Sequence, residues 1–138
     1  MSVLFDKTNF KGVELKNRLV RSATHEGMAD ENGFPTENLF QLYERLAKGG
    51  VGLIITGYSY VNKNGKSDAM MGIDTDEHIS KYRELVANVH QNGAKIAMQI
   101  NHCCRQTTKD MTGTQTIAPS AVKDNMLLDK PRAMLSRR

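Results

Sequence analysis

The spacing of apolar positions changes twice along the chain, and each change marks an element. Asn9-Phe10 and Val13–Leu15 flank Lys11-Gly12, where glycine supplies the positive φ of a tight turn, so a short hairpin is predicted. Leu19 to Ser22 reads as a short extended segment, and "DENGFP" as a loop with Asn32-Gly33 turning and Pro35 stopping it. Leu39, Phe40, Leu42, Tyr43, Leu46 and Ala47 then recur three and four apart, on one face of a helix. Thr36 is placed to cap that helix, with Glu37 at its positive end, and Gly49-Gly50 to end it in a left-handed turn. Val51 to Thr56, "VGLIIT", is apolar without alternation, as in a strand covered on both faces.

The pattern repeats. Asp76 is placed to cap a second helix with Ile79, Tyr82, Leu85, Val86 and Val89 as its stripe, and Gly93 stops it. "KIAMQI", from Lys95, is the next strand expected to be buried on both faces. The order is a hairpin followed by β-α-β-α-β, with short turns after helices and long loops after strands. That asymmetry implies parallel strands with function at their carboxyl ends. No clear third helix is read beyond residue 102. A closed (β/α)₈ barrel typically needs about 250 residues. The 138 residues here hold three such strands, so the fold is either a small open sheet or the front portion of a barrel.

Composition narrows the function classes. With 39% hydrophobic residues the chain can build a core, and it has no apolar run of membrane-spanning length. The first ten residues, "MSVLFDKTNF", lack a signal-peptide pattern, which favours the cytoplasm. The net charge of +4 comes from Lys130, Arg132, Arg137 and Arg138 alone, since residues 1–129 hold fifteen bases and fifteen acids. Cations interleaved with acids do not form the basic face that nucleic acid requires. Cys103 and Cys104 are adjacent, which suits neither a disulfide framework nor a C-x-x-C metal or redox pair, and two reduced thiols are expected. No metal site is predicted.

The chemically informative stretch is "KIAMQINHCCRQ", Lys95 to Gln106. A buried amide without partners costs roughly 1–3 kcal/mol. Gln99 therefore either meets a structural partner or is offered to a ligand.

Four stretches carry a resemblance: "LFDKTNFKGVELKNRLVRSAT", "GVGLIITGYSYV", "GIDTDEHISKYRELVANVHQNGAKIAMQINHCCRQ" and "IAPSAV". In this order they resemble the amino-terminal part of the Old Yellow Enzyme family, the FMN-dependent NAD(P)H:flavin oxidoreductases. The resemblance implies one partial domain over residues 1–138: the amino-terminal portion of a TIM (β/α)₈ barrel, with a capping hairpin and about three βα units. It implies FMN as cofactor, NAD(P)H as hydride donor and an electron-poor alkene as small-molecule substrate. Ser22, Ala23, Thr24 and His25 match the segment along the flavin edge, with a solvent-facing loop histidine as the plain alternative for His25. No cysteine stands in that segment, so the flavin would be non-covalent. Gly57 and Tyr58 match the position where a small residue's backbone meets the isoalloxazine, although relatives usually carry alanine or glycine where Tyr58 stands. Gln99 matches the glutamine that bonds the flavin's pyrimidine edge, because an amide both donates and accepts. His102 and Arg105 match the "HAGR" segment, with Cys103-Cys104 in place of its small pair. Arg105 would serve either the substrate mouth or an internal ion pair.

The family's strand-four substrate residues and late phosphate-gripping loops have no match here, and no catalytic residue is named within this chain. Two readings follow: the amino-terminal fragment of an FMN-dependent oxidoreductase, or a non-catalytic remnant of a truncated or frameshifted gene. Three parallel strands would leave a sheet edge open to self-association. The ending "LSRR" puts two arginines where the resemblance leads one to expect a helix opening with acids. The expectation is that the family sequence is lost near Met134 and resumes in another reading frame.

Overall fold

The computed structural model describes residues 3–127 and 129–134, so the arginines of "LSRR" lie outside the described residues. Thr8–Phe10 (β1) and Val13–Leu15 (β2) form the expected antiparallel hairpin. Its turn residues Lys11 and Gly12 both have positive φ, 47° and 91°, the geometry that matches strand twist in two-residue hairpins. Val20–Arg21 (β3) follows and pairs in parallel with Leu53–Tyr60 (β4).

Between them lies helix α1, Glu37–Lys48. Its apolar stripe buries Leu39, Tyr43 and Ala47 against Ile54 of β4 and against Leu85 and Val89 of the second helix, α2 (His78–Gln91). Burying each leucine or isoleucine there stabilises the fold by roughly 1.5–3 kcal/mol. Thr36 holds the N-cap position in extended backbone, but its hydroxyl donates to the Met28 carbonyl instead of capping. Gly49 is right-handed, and Gly50, at φ +96°, takes the left-handed place.

Lys95–Asn101 (β6) lies on the other flank of β4, also parallel. A two-residue strand, Met71–Gly72 (β5), pairs with Ser59 and Tyr60 at the carboxyl end of β4. Since β6 occupies one flank of β4 along its length, β5 continues the flank that β3 begins. The sheet thus has helices on one face, parallel main strands, and its long loops (residues 22–36 and 61–77) at the carboxyl ends.

Three expectations are corrected. β6 is not buried on both faces: Lys95, Ala97, Gln99 and Ile100 are exposed, Ile100 by 66%. Among the described residues only β4 pairs with it, and the face turned away from the helices is uncovered, so an apolar run marks an edge strand here. Asp76 does not cap α2. Glu77 holds the cap position in right-handed backbone with no side-chain cap bond, and the helix opens through His78 and Ile79 amides donating to the Thr75 and Asp76 carbonyls. A one-turn third helix does exist, α3 (Lys109–Thr112), opened by Thr108, whose hydroxyl accepts from the Met111 amide at 3.4 Å. Beyond it Ile117–Ala118 (β7) pairs in parallel with Arg132–Ala133 (β8).

Candidate functional site

Along β4 the pairing with β6 changes phase. Ile55 stands opposite Ala97 and Tyr58 opposite Gln99, so two residues of β4, Thr56 and Gly57, face the single Met98. This is a β-bulge, a device that re-aims side chains near functional sites. Ile54 packs among the helices, so Leu53, Ile55 and Ala97 face away from them, toward what is the interior in a barrel. The extra residue turns Tyr58 onto that same inward face beside Gln99, where simple alternation would have sent it to the helices. Thr56 stabilises the bulge: its hydroxyl donates to the Gly57 carbonyl at 2.7 Å and accepts from the Gln99 backbone N–H at 3.3 Å.

A buried carboxylate absent from the sequence-based site lies beneath the bulge. The Glu26 side chain is 5% exposed. Its Oε1 accepts from the Tyr43 hydroxyl at 2.9 Å and from the Gly57 amide at 3.3 Å, and the Arg21 guanidinium stands 4.0 Å away. Burial, then the Glu26 charge, pushes the Tyr43 phenol far up, so it remains a donor. Gly57 is required here. A Cβ at that position would lie 2.0 Å from Glu26 Oε2 and 2.7 Å from the Thr24 carbonyl. Arg21 also donates to the Ser22 carbonyl at 3.0 Å and to the Thr24 hydroxyl, which itself donates to Ser22. One connected network therefore fixes the segment from Ser22 to Thr24 and the backbone of Gly57.

The sequence-based residues divide into two groups. His25, Tyr58 and Gln99 come together: the His25 and Tyr58 rings stack with centroids 4.7 Å apart and planes 12° apart, and Tyr58 is the register partner of Gln99. Ser22, Thr24 and His25 are exposed and Ala23 half-buried along the rim. The Gln99 side chain is exposed and makes no hydrogen bond among the described residues. Burial, then the nearby Cys103, raises the Tyr58 phenol.

His102 and Arg105 have partners of their own. The His102 ring packs on Gly65, its Nδ1 accepts from the Cys104 amide at 3.0 Å, and burial lowers its pKa. Arg105 Nε lies 3.8 Å from Asp124 Oδ2, an ion pair that leaves about half of the arginine side chain exposed. Asp124 is held below the usual carboxylate range by the Met126 amide first, then by the Leu127 amide and Arg105.

For an isoalloxazine edge these residues fit in part. Gln99 offers a free amide on the inward face, and the segment from Ser22 to His25 offers an accessible rim. The Gly57 N–H does not fit, because Glu26 and Tyr43 already accept from it. Among the described residues no group of three His, Cys, Asp or Glu side chains converges as a metal site. No helix among them is long and apolar enough to cross a membrane.

Comparison with known proteins places this geometry. The sequence model of the NADH:flavin oxidoreductase / NADH oxidase family matches residues 3–134. An NADH oxidase of Thermoanaerobacter brockii is 37% identical over 134 residues, which is 95% of this chain and 21% of that protein. An NADPH dehydrogenase of Listeria monocytogenes is 34% identical over 133 residues, 95% of this chain and 38% of the relative. The solved structure of an old yellow enzyme homologue from Zymomonas mobilis superposes with a TM-score of 0.80 at 26% identity, over 97% of this chain and 40% of that one. The chain thus spans from about a fifth to two fifths of the length of these relatives. With its hairpin, parallel strands and carboxyl-end loops in the matching order, the chain belongs to the NADH:flavin oxidoreductase / NADH oxidase family.

Proposed function

We propose that this chain is the amino-terminal part of an FMN-dependent NAD(P)H oxidoreductase, contributing one wall of the flavin site. The observation that supports this most is the inward cluster at the carboxyl ends of the strands: His25 stacked on Tyr58, with the unpaired Gln99 amide beside them. A flavin bound there supplies hydride transfer from NAD(P)H to an electron-poor alkene. The Gln99 amide donates and accepts at the pyrimidine edge and stabilises negative charge developing there. Ser22 to His25 line the other edge, held by Arg21 and Glu26. Tyr58, where relatives carry a small residue, narrows the mouth through its stack on His25. The substrate is a small molecule, not nucleic acid.

A second reading is favoured by β6. Its exposed inward face, and its pairing with β4 alone among the described residues, support the reading that the 138-residue chain alone lacks activity and binds FMN weakly or not at all. The test joins residues 1–134 to the remaining length of the Listeria NADPH dehydrogenase. The chimera should retain FMN through gel filtration and oxidise NAD(P)H, and Gln99→Leu in it should weaken FMN binding and lower the flavin's reduction potential. A folded chimera without flavin would sink the proposal. FMN held near one equivalent by the 138-residue chain alone would sink the second reading.

A further inference from the structure

Cys103 and Cys104 form a half-buried dithiol whose backbone is fixed on three sides. The Cys103 amide donates to the Gly65 carbonyl at 3.0 Å, the Cys104 amide to His102 Nδ1 at 3.0 Å, and the Gln106 amide back to the Cys103 carbonyl at 2.8 Å. Cys104 sits at φ +54°, in the left-handed region that a cysteine rarely adopts. The Cys103 sulfur receives the Asn101 amide at 3.6 Å and lies 3.9 Å from the Met70 sulfur.

The pair is poorly shaped for a direct disulfide. Disulfide-linked residues usually have Cα atoms about 4.4–6.8 Å apart. Neighbours across a trans peptide, as here, have them only about 3.8 Å apart. An atom inserted between the two sulfurs removes that constraint. It should be soft, to suit two thiols, and should need no third protein ligand, since among the described residues no larger group of His, Cys, Asp or Glu side chains converges there.

We infer that Cys103 and Cys104 are a binding site for monosubstituted trivalent arsenicals. The reaction is a condensation. Each S–H proton leaves with the arsenic-bound oxygen, two As–S bonds replace the As–O bonding, and one water is released. Arsenic stays trivalent, so no oxidant is required. Burial, then the neighbouring Cys104, raises the Cys103 thiol, so its sulfur enters the condensation carrying its proton. The inference does not depend on flavin binding.

Phenylarsine oxide added to the 138-residue chain tests it. One phenylarsenic group should add per chain by intact mass, both thiols should vanish from a thiol titration, and 2,3-dimercaptopropanol should restore them where excess monothiol does not. Cys103→Ser and Cys104→Gly should each abolish the monothiol-resistant adduct. The glycine variant suits the left-handed backbone and therefore keeps the fold. Because the fold fixes both residues, binding should be roughly tenfold tighter in the native chain than in urea. Equal affinity in urea, an adduct on Cys104→Gly as durable as on the parent, or ready closure of a Cys103–Cys104 disulfide by diamide would overturn the inference.

Discussion

At the residue scale, Glu26 is the group on which the rim depends. Replacing it with leucine strands the Tyr43 hydroxyl and weakens the hold on the Gly57 amide. An unsatisfied buried donor costs about 1–3 kcal/mol. Glu26→Leu should therefore lower the unfolding free energy by an amount in that range, read from a reduced urea midpoint, and expose the Gly57 amide to hydrogen exchange. Glu26→Gln, which still accepts, should recover most of the loss; equal loss in both variants would assign the effect to charge. Cys104→Gly should move stability the other way. Relief of a left-handed side chain is worth about 1–2 kcal/mol, and the added freedom of glycine in the unfolded chain takes back about 0.4–1 kcal/mol. A net gain between about 0 and 1.6 kcal/mol should appear as a higher urea midpoint. Gln99 stands out in the sequence because an amide in an apolar run is anomalous, although the strand leaves it exposed instead of buried. Glu26 does not: 31 residues separate it from Gly57, and a lone glutamate in a polar loop looks solvated. Its one local sign, a glycine inside a strand, needs the strand to run past Thr56, which the sequence pattern does not indicate and the structure shows.

At the scale of elements, helices and strands were legible where their burial depends on neighbours in sequence. The stripe of α1, Leu85 and Val89 of α2, and the hairpin turn follow from local spacing alone, whereas Ile79, read into the α2 stripe, is 46% exposed. The bulge in β4 and the half-exposure of β6 do not, because both depend on which strand lies alongside and what covers the far face. The turn after β6 carries a pH-dependent prediction. Burial against Gly65 holds the His102 pKa below its ordinary value of 6.5. The unfolded chain therefore binds the proton more readily than the folded one. The stabilising contribution of neutral His102 is present above pH 6.5 and is lost as pH falls from there through the lower folded value. Thermal unfolding should move to lower temperature across that interval. His102→Asn should flatten this part of the profile; an unchanged profile would remove His102 as its source.

For the whole molecule the decisive feature is the asymmetric sheet. The hairpin, Leu53 and Ile55 line an apolar groove of about 330 Å³ on the inward face, and β6 offers its outer edge unpaired among the described residues. Edges of this kind recruit further strands, so light scattering at rising protein concentration should report association, and substituting lysine for the exposed Ile100 should suppress it. A scattering signal that stays monomeric at every concentration would show the edge to be protected. The one-sided strand also ties folding to mass action. Whatever pairs with β6 binds the native sheet and not the unfolded chain, and so adds stability as the logarithm of its free concentration. The melting temperature should then climb with the concentration of any strand that pairs there, and so read out the occupancy of that edge.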